Sequence, residues 1–251
     1  MILDHVSVSQ LNMWLRCPRQ WEYRYVKGLK IPPSGALVEG RCYHKSLEEN
    51  FLHKIESYED LPVDECLDAF STEWSKALSE EESIDWEGKN PRDIKNEGHK
   101  LVRKYITDQA PYVQPLEVEE WYISEISGVK FVARLDLIDC TGVVIDHKTS
   151  NKLYSQADVD RDMQASAAAF SLDRPIIFHN HVAVKFANPR IQVVKTVRTR
   201  EDIEWWLDAA SAIVAQMKSG IAPPRPTGWW CSPEYCGFYE RCRGGLIRKF
   251  W

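Results

Sequence analysis

The chain has 251 residues, 44% of them hydrophobic, enough for one large domain or two small ones with a sizeable core. No apolar run approaches the ~18 residues of a membrane span, and residues 1–10 lack the basic start and apolar stretch of a secretory leader, so a cytoplasmic protein with no membrane partner is expected. The net charge of −5 excludes a uniformly basic nucleic-acid binder but not a local basic surface, because acids crowd into residues 55–97.

Ser7 or Ser9 can cap a first helix that runs through Leu11, Trp14 and Leu15. It stops at Cys17-Pro18, since proline disfavours helix in the residue before it. Residues 20–26 are aromatic and amphipathic, and Pro32, Pro33 and Gly35 mark a break. A strong helix follows over 36–55, with Leu37, Gly40, His44, Leu47 and Phe51 on one side. The acidic stretch predicts surface helices, a helical insertion over about 56–110 with Phe70, Trp74, Leu101 and Tyr105 turned inward. The pattern then changes to strands, marked by Val118, Trp121 and Ile123, then 129–138, then 143–148, with Gly128 and Thr141-Gly142 as turns. An alanine-rich helix is predicted over 158–172, strands over 175–186 and 191–197, and a last helix over 201–219 that Gly220 ends. Lys185, Arg190, Lys195, Arg198 and Arg200 form an acid-free stretch that reads equally as a basic surface or as a solvated strand face. Helices, a three-stranded meander, a helix, two strands and a helix make an α/β fold, a mixed sheet flanked by helices, expected as a single domain over 1–251.

The chemistry concentrates between Arg134 and Thr149. If Cys140, Thr141 and Gly142 form a three-residue loop, Gly142 takes its left-handed position and Asp139 faces Val143. Counting outward puts Asp136 opposite Asp146, with Lys148 beside Asp146 because strand residues two apart share a face. Two close carboxylates repel unless a cation sits between them. Carboxylate oxygens suit Mg²⁺ or Mn²⁺, which can activate a water and polarise a phosphoryl oxygen, and Lys148 can orient that water or stabilise charge. Surface aspartates paired with Lys148 or Arg134 would give the same string, but the flanking Leu135, Leu137, Val144 and Ile145 leave charges there in need of a reason.

Several ordered motifs resemble the RecB-like branch of the PD-(D/E)XK nuclease superfamily, over nearly the full length. Gly40-Arg41-Cys42-Tyr43-His44 with Leu47-Glu48 is similar to the branch's helical Gly-x-x-x-His motif, whose histidine is a metal ligand. Asp136 matches the first acidic motif. Asp146-His147-Lys148 matches the (D/E)-x-K motif, with Asp where Glu is commoner. Gln164 matches a glutamine on the following helix, although Ala168 stands where the family usually has an aromatic residue, and Phe170 is the nearest. Singly, His44 suits a core-lining or capping role and Gln164 a helix surface; their order with the two aspartates carries the resemblance. It implies a restriction-endonuclease-like sheet, with His44, Asp136, Asp146 and the His147 backbone carbonyl as ligands of Mg²⁺ or Mn²⁺. It also implies Lys148 as the water-activating residue, Gln164 assisting, and an exonuclease acting on DNA, either single strands or duplex ends. Relatives of this layout serve DNA recombination, phage DNA processing and CRISPR adaptation, which implies a protein partner from such a system.

Seven cysteines, an odd number, argue against a disulfide framework and for metal or redox use. Cys231, Cys236 and Cys242 lie close together among Trp229, Trp230, Tyr235, Phe238 and Tyr239, and three such thiols normally bind metal. Cys17, at the end of the first helix, is the natural fourth. Spacing leaves zinc and iron–sulfur both open. Cluster-bearing relatives take one cysteine from the N-terminal region and three from the C-terminal one. The resemblance therefore implies a [4Fe–4S] cluster on Cys17, Cys231, Cys236 and Cys242, joining the helical end parts, about 1–30 and 220–251, into a subdomain. Cys42, Cys66 and Cys140 read as small buried hydrophobes. Two rival functions suit the same residues: a non-catalytic iron–sulfur DNA-binding or adaptor protein on this fold, and a zinc-stabilised interaction module.

Overall fold

The computed structural model describes residues 3–244. Residues 1–2 and 245–251, parts of the expected cysteine-bearing ends, lie outside the described residues. In chain order the elements are β1 (His5–Val6), α1 (Val8–Arg16), α2 (Pro18–Trp21), α3 (Gly35–Ser57), α4 (Val63–Glu80), α5 (Pro91–Asp108), β2 (Pro115–Ile126), β3 (Val129–Asp139), β4 (Val144–Ser150), α6 (Gln156–Asp160), α7 (Met163–Ser171), β5 (Ile176–Val184), β6 (Arg190–Arg198) and α8 (Arg200–Ser219). Two compact units emerge, one of Met1–Ile31, Ile123–Ala133 and Glu204–Trp251, the other of Pro32–Tyr122 and Arg134–Ile203. None of the described helices is long and apolar enough to cross a membrane.

In the first unit, Ser7 caps α1 by accepting from Gln10 N–H at 3.4 Å, and Cys17 N–H closes the helix on Met13 O at 2.8 Å. Pro18 then opens α2 at the position where its missing N–H costs nothing. Trp14 and Trp21, both buried, meet edge to face at 5.0 Å. Strand β1 pairs in parallel with Lys130 and Phe131 of β3, and Phe131 packs on the buried Trp206 of α8.

The second unit is α/β, with a mixed sheet flanked by helices, as the sequence predicts. From residue 134 on, β3 pairs antiparallel with β4, β4 parallel with β5, and β5 antiparallel with β6. One core joins Tyr43, Phe51, Phe70, Leu101 and Tyr105 of α3, α4 and α5 to Leu137, Ile145 and Ala183 of the sheet. A Cβ at Gly98 would overlap the Phe70 ring, so this glycine lets α5 close on α4. A second core sets Ala165, Ala168 and Ala169 of α7 against Leu135, Val144 and Phe178, the small side chains bringing the helix backbone near the strands.

Four sequence expectations change. Leu37 is 61% exposed, because the buried face of α3 runs through Val38, Cys42, Leu47 and Phe51 and includes Asn50 and Lys54, which both bond Asp60. A hydrophobic count cannot see such polar members. The helix predicted over 158–172 is two, broken where the Asp162 carboxylate caps α7 on Gln164 N–H at 2.9 Å. The buried Arg198 guanidinium donates to the carbonyls of Val159, Asp160 and Asp162, which the break frees. The acid-free stretch is neither a plain basic surface nor a plain solvated face. Arg198 is inside, Lys185 is ion-paired with the fully buried Glu39, and Arg200 pairs with Asp173. Breaking a buried pair such as Lys185–Glu39 costs ~3–5 kcal/mol, so that cation is structural. Finally, Cys42 and Cys66 are buried as expected, but Cys140 is exposed in the loop between β3 and β4.

Candidate functional site

The site lies where β3 and β4 part. Asp139 N–H donates to Val143 O at 3.0 Å, Gly142 N–H donates to Asp139 O at 2.9 Å, and Gly142 has φ +83°, as the turn chemistry requires. Pairing continues through Ile138↔Val144 and Leu137↔Ile145. At the next step a side chain intervenes: the His147 N–H donates to Asp136 Oδ2 at 2.8 Å. Lys148 Nζ stands 2.9 and 2.7 Å from the two Asp146 carboxylate oxygens. Gln164 Nε2, in the first turn of α7, donates to Asp146 Oδ1 at 3.5 Å.

From α3, His44 Nδ1 reaches Asp136 Oδ2 at 3.4 Å. Glu119 of β2 joins them: His44, Glu119 and Asp136 each offer a ligand atom within 4.8 Å of the others. Sequence reasoning misses Glu119. Its φ of +55° is a left-handed conformation that glutamate rarely adopts. An acid between Val118 and Trp121 in a strand is the only signal the sequence carries. Arg134 holds this carboxylate, Nε to Oε2 at 2.8 Å. Asp146 stands beside the group, engaged by Lys148 and Gln164. His147 contributes its N–H, while its imidazole stacks on Phe51 and shares the Tyr105 hydroxyl with His181, both contacts 2.9 Å. Burial drives His147 well below its usual value and His181 down to about 3, so both rings are neutral and the tyrosine can donate to one and accept from the other.

Electrostatics follows from the crowding. Burial pushes Asp146 up to about 6 against the pull of Lys148, and Asp136 adds to the rise. Burial and then Asp136 push Glu119 up to about 7, against Arg134. Burial opposes the Lys148 ammonium, but Asp146 and Asp136 outweigh it and raise its value. Acids packed in this way hold protons unless a cation sits among them. One imidazole nitrogen with carboxylate oxygens is a donor set that fits Mg²⁺ or Mn²⁺.

A pH-linked result is expected. In metal-free protein Glu119 and Asp146 keep protons up to about 7 and about 6, whereas the unfolded chain releases them near 4.5 and 3.8. The folded state binds more protons in between, so their contribution to stability is full below the unfolded values and is lost as pH rises through the folded ones. A divalent cation bound among these carboxylates would replace those protons. Melting temperatures measured with Mg²⁺ and with EDTA should therefore nearly coincide at pH 5 and separate above pH 7; an equal separation at both ends would refute this cation group.

The other expected centre lies in the first unit. Cys17, Cys231, Cys236 and Cys242 line one cavity with Gln20, Tyr23, Trp230 and Phe238. Donors point at three of the sulfurs: Gln20 Nε2 to Cys236 at 3.0 Å, Arg225 N–H to Cys17 at 3.5 Å, and Arg243 Nη1 to Cys231 at 3.9 Å. Burial raises the Cys242 thiol, and Cys17, Cys236 and Cys231 add to the rise. Among the described residues no three cysteine sulfurs lie within 4.8 Å of one another. Four cysteines lining one cavity are a donor set that suits a metal centre.

The model of the PD-(D/E)XK nuclease superfamily matches residues 5–243. No curated protein matches at a significant level. Among solved structures, a protein of Eubacterium rectale provisionally described as an exonuclease aligns with a TM-score of 0.57 at 14% identity, covering 91% of this chain and 87% of its own. At that identity the likeness shows the fold alone. The protein SSO0001, at 16% identity, aligns over 95% of this chain and 85% of its own with a TM-score of 0.44, too low to add to the comparison.

Proposed function

The chain belongs to the PD-(D/E)XK nuclease superfamily, and from that premise we propose that it is a metal-dependent deoxyribonuclease of the RecB-like branch that works from DNA ends and carries a [4Fe–4S] cluster. The observation that carries the nuclease reading is the His44, Glu119 and Asp136 group beside the buried Asp146–Lys148 ion pair. His44, Glu119, Asp136 and Asp146 would hold Mg²⁺ or Mn²⁺, with the His147 carbonyl as a further ligand. Such a cation supplies charge neutralisation at the phosphoryl oxygen and a lowered pKa for an attacking water. Lys148, fixed by Asp146, presents a charged donor to the scissile phosphate, and Gln164 holds the Asp146 carboxylate in place from the other side. Arg134 positions Glu119. The four-cysteine cavity and its sulfur-directed donors support the cluster, whose role is to join the two chain ends in a reducing, cytoplasmic setting. Action from ends accords with the description of the Eubacterium rectale neighbour. It suits DNA recombination, phage DNA processing or CRISPR adaptation alongside a protein partner.

The test is cleavage of end-labelled linear DNA, single-stranded and duplex, with Mg²⁺, Mn²⁺ or EDTA, beside a closed circle and the Asp136→Ala variant. Metal-dependent loss of the linear forms, sparing the circle and absent in the variant, is expected. A cut circle would make the enzyme an endonuclease. DNA that is bound but never cut would make the protein an adaptor.

A further inference from the structure

Trp121 is 63% exposed, yet it is not loose. The Arg134 guanidinium lies over its ring at 5.6 Å, and the same guanidinium bonds the Glu119 carboxylate. Arg134 also approaches Glu48 of α3 at 3.8 Å, so its plane is fixed from two sides. A large aromatic surface is thus anchored, through one cation–π contact and one ion pair, to a carboxylate of the candidate metal group. Glu119 and Trp121 lie two residues apart on β2, and the left-handed backbone at Glu119 orients that stretch. Neither core takes the indole in, and an exposed indole offers a face that any nucleobase can stack on.

We infer that Trp121 is a base-stacking platform that selects single-stranded DNA by holding one unpaired base beside the scissile phosphate. This rests on the nuclease reading and goes beyond it by naming the form of the substrate. A base within a duplex is already stacked on its neighbours, so a platform next to the metal group favours a single strand or a frayed end. Arg134 preorganises the ring and is a positioning residue.

The test is binding of a fluorescent oligothymidylate in Ca²⁺, read by anisotropy, for the wild-type chain, Trp121→Ala and Trp121→Phe, together with cleavage in Mg²⁺. Trp121→Ala should weaken binding roughly tenfold or more, as stacked aromatics do, while Trp121→Phe retains most of it. Each variant should melt with the wild type, because the side chain is largely exposed. Oligonucleotides with one abasic position, moved along the strand, add a second reading. At one position the missing base should weaken wild-type binding by a similar factor and should cost Trp121→Ala nothing more. Equal binding by Trp121→Ala, or abasic losses that simply add to it, would overturn the platform while leaving a cutting enzyme intact. A wild-type chain that neither binds nor cuts DNA would overturn the nuclease reading, and the platform with it.

Discussion

Replacing Lys148 by alanine should lower the cleavage rate by about 10²–10³-fold, the loss typical of a preorganised donor at a developing charge. The motif alone suggests a variant that folds normally; the ion pair says otherwise. Asp146 is buried, and both its oxygens lie within 2.9 Å of the ammonium. Without Lys148 that carboxylate has lost its counter-charge, so the metal-free variant should be destabilised by ~3–5 kcal/mol. Mg²⁺ should restore much of this, since the cation takes over the neutralising role. Adding Asp146→Asn to the variant should recover metal-free stability without recovering cleavage, which separates the two roles. Thermal melts with and without Mg²⁺, beside single-turnover cleavage of the same samples, measure all of this. Full cleavage by Lys148→Ala would falsify the assignment.

The second large effect is expected at Cys236. The wild-type protein should be brown and contain iron, and Cys236→Ala should lose both. Cys17 and Cys231 are more than 200 positions apart, and a link that closes a loop of that order removes ~5 kcal/mol of unfolded-chain entropy. The loss should therefore reach stability as well as colour. Cys236 is buried and accepts from Gln20, so alanine also leaves that amide unpaired. Cys140→Ala, at an exposed thiol that does not line the four-cysteine cavity, is the control and should keep colour and melting point. A Cys236→Ala protein that stays coloured and equally stable would remove Cys236 from the ligand set. A colourless wild type containing one zinc would replace the cluster by a metal ion.

What could be read from the sequence was what short-range rules govern. The loop at Gly142 fixed the β3–β4 register, and that register brings Asp136 and Asp146 together. Alternation and helical periodicity located most of the sheet and helices. What escaped depends on distant partners. The break before α7 is satisfied by Arg198, which no local pattern connects to Asp162. Glu119 enters the site through a left-handed residue, and glutamate gives no hint of that conformation. Lys185 looked like surface charge because its partner, Glu39, sits on another element.

The backbone at Glu119 has a consequence for how this protein can change. A non-glycine residue held at φ +55° gives up ~1–3 kcal/mol to its conformation. Glycine or asparagine would relieve that strain, but would take a carboxylate from the group shared with His44 and Asp136. Selection for heat tolerance and selection for turnover therefore pull position 119 in opposite directions. Lineages or laboratory libraries under the first pressure alone should drift there toward glycine or asparagine and become sturdier but idle proteins.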